Sequence, residues 1–199
     1  MHVFAGMTNM CIIGIMVEYY TEAFVLGKSD FREADGIVHL YTEELGKVSA
    51  RARGLKKTLS KSNAHLEPFN FAQVRLMEMK SGQYQIIDVL PHGDISTRHA
   101  KKDQKKYGVL LAMAECIDTM AYELHPDQYL WNIIKRIPQF DIDIATMHRF
   151  LLKAFGFDPQ YATCMACGSG SPSHFIRDDH AFACGQCASK MRPDGVILI

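Results

Sequence analysis

The chain has 199 residues, 48% of them hydrophobic, so it is long enough to bury packed cores without disulfide bonds. Lys plus Arg number 22 and Asp plus Glu also number 22, which excludes a protein that attracts nucleic acid through its overall charge. Four of the six cysteines form two C-x-x-C pairs and no export signal accompanies them. We therefore expect a reducing compartment, the cytoplasm.

The chain opens with an uncharged stretch that contains a short apolar run, Cys11 to Val17. No basic residue precedes the run and Glu18 follows it, which does not fit a secretory signal peptide. The run is also too short to span a bilayer. Two interpretations remain open: Met16 is the true initiator, or residues 1–17 form an apolar extension that packs as an extra strand.

Residues 18–91 have the pattern of five short strands broken by turns. Polar residues and Gly46 between the second and third strands predict an antiparallel hairpin. The longest gap, Gly54 to Pro68, separates the third strand from the fourth, an arrangement that suits an OB-fold barrel. The predicted strands lie around 23–27 and at 36–42, 47–53, 71–79 and 83–90.

A cluster of breakers, Pro91-His92-Gly93-Asp94, marks the predicted domain boundary, and residues 92–199 are predicted to form a helical domain. Its helices are expected at 103–124, at 127–137 and from Ile144 to a C-terminal cap near Gly156. The apolar stripe expected to be buried on the first helix is Tyr107, Leu110, Leu111, Ala114, Ile117, Ala121 and Leu124. The sequence thus predicts an α+β protein, a barrel followed by helices.

The most specific motif is the pair Cys164-x-x-Cys167 and Cys184-x-x-Cys187, which 16 residues separate. Two such pairs at this spacing favour one tetrahedral zinc ion within residues 161–190, where four thiolates leave no open position for catalysis. A redox dithiol, an iron–sulfur cluster and two disulfides are the competing interpretations. Cys11 and Cys116 are expected to be small buried hydrophobic residues.

A zinc deaminase is a further possibility, because His65-Leu66-Glu67 matches the H-x-E element of those enzymes. Thr163 stands where their proline would precede the cysteine pair, and the second pair already completes the ligand set without a histidine. Glu67 is therefore interpreted as an ordinary surface residue.

A basic segment without acidic residues runs from Lys47 to Lys61. On a strand, Lys47, Arg51 and Arg53 share one face with Ser49, while Val48, Ala50 and Ala52 face the barrel interior. The outward row suits DNA phosphates, with Tyr41, Phe69 and Phe71 as candidate stacking surfaces. The alternative is a solvated strand face with core aromatics. The candidate DNA-binding residues are Lys47, Arg51, Arg53, Lys56, Lys57 and Lys61. A second cluster comprises Arg98, Lys101, Lys102, Lys105 and Lys106.

Three blocks of the chain occur together in a recognisable order. They are the run Glu33 to Gly54 (EADGIVHLYTEELGKVSARARG), Leu66 to Phe69 (LEPF), and FGFDP at 155–159, followed by Cys164-x-x-Cys167-Gly168. In order and spacing these blocks resemble the RecO family, and the first is similar to the N-terminal signature of that family. Two features depart from the family: the apolar residues before Glu18, and the twelve residues after Cys187, where relatives continue with further helix.

The resemblance implies an OB-fold, a helical domain interrupted by a zinc module, and a mediator of DNA repair and homologous recombination. Such a protein binds single-stranded DNA, anneals complementary strands and helps load the RecA recombinase onto strands coated by single-stranded DNA-binding protein. It acts with RecR in the RecF-linked pathway, in the cytoplasm at the nucleoid, without a membrane partner.

Two other function classes stay open. One is a zinc-ribbon and OB-fold factor of transcription or translation that binds RNA or protein, and relative affinity for single-stranded DNA and RNA separates it from the first. The other is a small hydrolase that uses His39 or His65. The chain contains no convincing catalytic triad, phosphate-binding loop or paired carboxylates, so we expect no enzyme.

Overall fold

A computed structural model describes residues 17–31, 33–55, 64–91, 102–192 and 195–199. The apolar residues 1–16, the breaker cluster after Pro91, and Lys56, Lys57 and Lys61 lie outside these ranges. The predicted domain boundary therefore stays a prediction.

The first part of the described chain is a closed five-stranded barrel, with the strand order β1-β2-β3-β5-β4. Neighbouring strands are antiparallel except β3 and β5, which pair in parallel. The predicted OB-type barrel is confirmed. Its strands are β1 (Glu18–Phe31), β2 (Asp35–Thr42), β3 (Gly46–Ala52), β4 (Phe71–Glu78) and β5 (Tyr84–Pro91).

Among the described residues, three helices of nine or more residues follow the barrel, each begun by an aspartate whose carboxylate accepts one or two backbone N–H groups of the first turn. They are α1 (Gln104–Met120), α2 (Gln128–Arg136) and α3 (Ile144–Ala154), and 3₁₀ turns follow α2 (Ile137–Gln139) and α3 (Pro159–Tyr161). After α3 the chain turns at Gly156, whose φ of 88° is the left-handed conformation expected of a glycine cap.

The last part of the chain is a small module around a three-stranded sheet of order β7-β6-β8. Its elements are β6 (His174–Ile176), β7 (Ala181–Ala183), the short helix α4 (Gly185–Ala188) and β8 (Val196–Leu198). Leu152 of α3 packs with Phe175, Phe182 and Ile199 in one buried cluster. This cluster fastens the module to the helices.

The barrel and the helices share a core. One buried cluster fills the barrel interior and includes Val38, Leu40 and Ala50. A second joins outward-facing barrel residues to α1, α2 and α3, and its barrel members are Phe24, Leu26, Tyr41, Phe69 and Phe71. Trp131 of α2 is fully buried in this second cluster, between Tyr41 and Phe71.

The stripe predicted on α1 is only partly right. Leu110, Ala114 and Ile117 are buried, but Tyr107 and Leu111 are 43% and 51% exposed. The remaining buried positions of the helix are instead Val109, Met113 and Cys116. The helix also ends at Met120, because the N–H of Leu124 donates to the carbonyl of Lys47 at 2.9 Å and draws the following loop onto β3.

Candidate metal centre and nucleic-acid face

The four predicted cysteines come together at one end of the small module. Cys164 and Cys167 lie in the loop before β6, and Cys184 and Cys187 lie at the start of α4, directly after β7. Pairing of β6 with β7 brings the two loops side by side, and the four Sγ atoms all lie within 4.8 Å of one another. The Sγ atoms of Cys167 and Cys184 are 3.7 Å apart. A tetrahedral zinc site with Zn–S bonds of about 2.3 Å has S···S edges of about 3.8 Å.

Backbone N–H groups around Cys164 support the thiolate form of that residue. The pKa of the Cys164 thiol is lowered to about 6, chiefly because backbone N–H groups of Cys184 and Cys167 donate to its sulfur. Gly168 takes a φ of 73°, which lets the chain turn immediately after the first pair. The pKa of Cys187 is raised to about 12, chiefly because hydrogen bonds between its thiol and the sulfur atoms of Cys184, Cys164 and Cys167 favour the protonated form. A bound cation would instead favour the thiolate.

The donor set fits a soft divalent metal ion with a closed shell. Among the described residues it supplies four sulfur atoms, the donor set of a structural centre. Cys164 is buried and Cys167 is exposed, so the cluster lies at the edge of the module. Beneath it, Cys164 packs with Ile176, Ala183 and Ala188. The cluster could therefore hold the loops of the module together.

The alternation predicted for β3 agrees with its burial. Val48, Ala50 and Ala52 are buried, whereas Ser49 is exposed and Arg51 is partly exposed. The outer face continues across β2 and β1, because His39 pairs with Ser49 and Gly27, and Ile37 pairs with Arg51 and Ser29. We call this surface the open face: Gly27, Ser29, Phe31, Asp35, Ile37, His39, Ser49 and Arg51.

The described cations of the predicted row differ in what they contact. The ammonium of Lys47 donates to the carbonyl of Asp118 at 2.5 Å and lies at the junction with α1. Arg51 donates through Nε and a terminal nitrogen to Asp35, and its guanidinium lies 5.2 Å from the ring centre of Phe31. This pairing lowers the pKa of Asp35. Arg53 is exposed.

The aromatic residues considered for base stacking are not on the open face. Tyr41, Phe69 and Phe71 are 1%, 4% and 5% exposed, within the core shared with the helices. Tyr41 on β2 and Phe71 on β4 point outward from the barrel, as strand alternation requires, and Phe69 lies in the turn before β4. The helices cover all three, so their burial agrees with the alternative of core aromatics and not with base stacking. Phe31 is the aromatic residue that the open face itself contains.

The open face carries a polar network that the sequence did not reveal. Ser29 Oγ lies 3.0 Å from His39 Nε2, and His39 Nδ1 lies 3.0 Å from Ser49 Oγ, so one histidine links three strands. The hydroxyl positions were visible in the sequence, but the pairing depends on register. A bulge between Val25 and Gly27 sets that register for β1.

The other residues singled out in the sequence are the second basic cluster, the H-x-E element, and Cys11 and Cys116. In the second basic cluster, Lys105 pairs with Asp141 at 3.3 Å, Lys102 is exposed, Lys106 is partly exposed, and Arg98 and Lys101 lie outside the described ranges. Glu67 of the H-x-E element forms an ion pair with Lys28 at 2.8 Å. Cys116 is buried, as expected, and Cys11 is not described. Within the described chain, no helix combines the length and the apolar character needed to cross a membrane.

Comparison with known proteins agrees with these features. Residues 16–90, the barrel, match the family model described as "Recombination protein O N terminal". The DNA repair proteins RecO of Bacillus velezensis and Bacillus subtilis are each 31% identical over 179 residues, covering 85% of this chain and 68% of the relative. The DNA repair protein RecO of Bifidobacterium longum is 30% identical over 170 residues, covering 78% and 68%. The chain therefore belongs to the RecO family.

Proposed function

We propose that this protein is a DNA repair and recombination mediator that binds single-stranded DNA along the open face of its barrel and promotes annealing. The observation that carries the proposal is the division of the barrel surface. The helices cover Phe24, Tyr41 and Phe71, while the strand surface beside them, around His39, Ser49 and Arg51, has no covering element among the described residues. Because the chain belongs to a family of DNA repair proteins, single-stranded DNA is the ligand that we assign to this uncovered face.

The chemistry of the open face suits a nucleic-acid backbone without sequence preference. Serine hydroxyls and arginine are common donors to phosphate oxygens, and Phe31 offers a ring on which a base can stack. Arg51 is paired with Asp35, so DNA would have to compete for its guanidinium. Arg53, Lys56, Lys57 and Lys61 follow β3 in the chain and extend the proposed contact.

The metal centre and the domain organisation belong to the same proposal. We expect one zinc ion held by Cys164, Cys167, Cys184 and Cys187, where it would supply structural cross-linking and no reaction. Residues 18–91 and 92–199 would act as the DNA-binding and helical domains. The protein would work without catalysis, in the cytoplasm on nucleoid DNA, with RecR and single-stranded DNA-binding protein as partners and RecA loading as the outcome.

Salt-dependent binding to an oligo-dT strand tests the function. Each phosphate contact should contribute about 0.7 to the log–log slope of affinity against salt, and three to six contacts give a slope of roughly 2 to 4. Arg53→Glu and Arg51→Gln should each weaken binding and flatten the slope, and both should slow strand annealing. Oligo-U binding that is equal or tighter would favour the RNA-binding class instead.

Arg75→Gln is a matched control for Arg51→Gln. Arg75 lies on β4 and donates to the Glu18 carboxylate through Nε and a terminal nitrogen. Its guanidinium lies 5.3 Å from the ring centre of Tyr20. Arg75 therefore has the same kinds of carboxylate and ring contacts as Arg51, but outside the open face. The two arginine side chains also have similar exposure, 32% for Arg51 and 37% for Arg75. If both substitutions lowered affinity equally, or neither did, the open face would not be the DNA-binding surface.

A further inference from the structure

The Ser29–His39–Ser49 network can change both its charge and its number of free hydrogen-bond donors, which a row of fixed cations cannot do. Both ring nitrogens of His39 are engaged, each by a serine hydroxyl on a neighbouring strand. A neutral imidazole has one N–H donor and one acceptor nitrogen. One serine therefore accepts the ring proton and keeps its own O–H free, while the other serine donates its O–H to the ring.

Protonation of the ring changes the number of serine O–H groups that are free to bind a ligand. An imidazolium donates from both nitrogens, so both serine oxygens become acceptors and both hydroxyl hydrogens are free to point outward. The same step adds one positive charge beneath the two hydroxyls. Two outward O–H donors above a cation form a better site for a phosphate group than one donor above a neutral ring.

The surroundings leave room for such a ligand. Ser29 and Ser49 are exposed, and a Cβ built on Gly27, the residue paired with His39 on β1, would meet no atom of the described residues within 4 Å. The network therefore borders open space. Arg51 lies one register step away on β3, so a backbone that reached the guanidinium would pass the network.

The charged side chains that the strands present beside the network are paired, and the exposed Arg53 follows at the end of β3. By register, β1 presents the uncharged Gly27, Ser29 and Phe31 to this face, β2 presents Asp35, and β3 presents Lys47 and Arg51. Asp35 is held by Arg51, and α1 contributes Asp118, which holds Lys47. Among the described residues of this face, His39 is consequently the side chain that can gain a positive charge without breaking an ion pair.

We infer that Ser29, His39 and Ser49 form a phosphate-binding subsite for the backbone of single-stranded DNA, and that this subsite strengthens when His39 is protonated. The inference rests on the proposed function and names a contact within it. By linkage, a bound phosphate favours the protonated ring. The affinity for DNA should therefore rise as the pH falls.

The test is affinity for an oligo-dT strand at about pH 8 and about pH 6, at constant ionic strength, for the full chain. The wild-type protein should gain roughly tenfold in affinity at the lower pH, with the salt slope steeper by about 0.7. His39→Gln keeps a donor and an acceptor but carries no charge at either pH, so it should lose most of the gain. Ser49→Ala, at an exposed position, should halve the gain or more.

His180→Asn is the matched control for histidine titration elsewhere. His180 is exposed in the β6–β7 turn with a φ of 48°, which asparagine tolerates, and it should keep the full gain. If His39→Gln gained as much affinity at pH 6 as the wild type, the subsite would be refuted while the proposed function survived. If the wild type bound the strand at neither pH, the proposed function itself would fail. Thermal melting of each variant confirms folding, and should His39→Gln misfold, Ser49→Ala alone decides.

Discussion

Replacement of Trp131 by alanine should show that the barrel and the helices form one cooperative unit. Trp131 is fully buried, packs beside Tyr41 and Phe71, and lies beneath the ammonium of Lys135 at 5.3 Å from the ring centre. Removal of a buried aromatic ring to alanine costs about 3 to 5 kcal/mol. That is a large share of the roughly 5 to 15 kcal/mol by which a domain is stable.

A second variant, Trp131→Phe, tests the contribution of the indole nitrogen to stability. Trp131 Nε1 is buried and has no hydrogen-bond partner among the described residues. A buried unpaired donor costs about 1 to 3 kcal/mol, so Trp131→Phe removes that penalty while it leaves a small cavity. The two effects oppose each other, and we expect a net change below about 1.5 kcal/mol.

Urea denaturation followed by far-UV circular dichroism measures these changes. Tyr129→Ala provides the control, because Tyr129 is an aromatic residue of the same helix that is 56% exposed, and surface substitutions usually stay within about 0.5 kcal/mol. A loss below about 1.5 kcal/mol for Trp131→Ala, or an equal loss for Tyr129→Ala, would mean that the shared core does not couple the two parts.

Three further outcomes are expected. Metal analysis should find one zinc ion per chain, and Cys184→Ser should reduce that content and lower the melting temperature; unchanged melting would contradict a structural centre. Gly46→Ala should cost more than about 2 kcal/mol, because Gly46 has a φ of 69° and its Cβ would strike the His125 carbonyl group, whereas Gly82→Ala, with a φ of 74° and open space, should cost about 1 kcal/mol. Burial lowers the pKa of His148, partly offset by its hydrogen bond to the Leu198 carbonyl. The unfolded chain therefore binds the proton first, so the stability that His148 provides is complete above about pH 6.5 and is lost as the pH falls below it. His148→Gln should flatten the decline in unfolding free energy between about pH 7.5 and 5.5, and an unchanged decline would rule this out.

The barrel could be predicted from the sequence because its inner residues alternate with polar ones. In β3 the buried Val48, Ala50 and Ala52 follow the period of two that a half-buried strand produces. In β1 the pattern fails, since Ala23 to Leu26 are buried without interruption. Ala23 and Val25 face the barrel interior, whereas Phe24 and Leu26 face the helices. A strand covered on both sides does not show in its sequence which face meets which neighbour.

The two candidate sites also differ in how far they could be predicted from the sequence. The cysteine cluster is encoded by local spacing, so its four residues could be named from the sequence alone. The His39 network instead requires three strands in one register, and the bulge after Val25 shifts β1 relative to β2. Helices that cover Tyr41 and Phe71 are equally invisible in the barrel sequence. Partners chosen by long-range packing were therefore beyond the reach of sequence patterns.

The shared core also has a consequence for protein synthesis. The barrel residues that the helices cover are complete in the chain at Phe71, but the helical residues that cover them extend to Leu151. At about 5 to 20 residues per second, a ribosome needs roughly 3 to 12 s to advance from Pro91 to Leu151. During that interval a finished barrel would expose Phe24, Tyr41 and Phe71 to solvent. We expect chaperones to bind nascent chains of intermediate length at this apolar surface, and to leave once α3 has emerged.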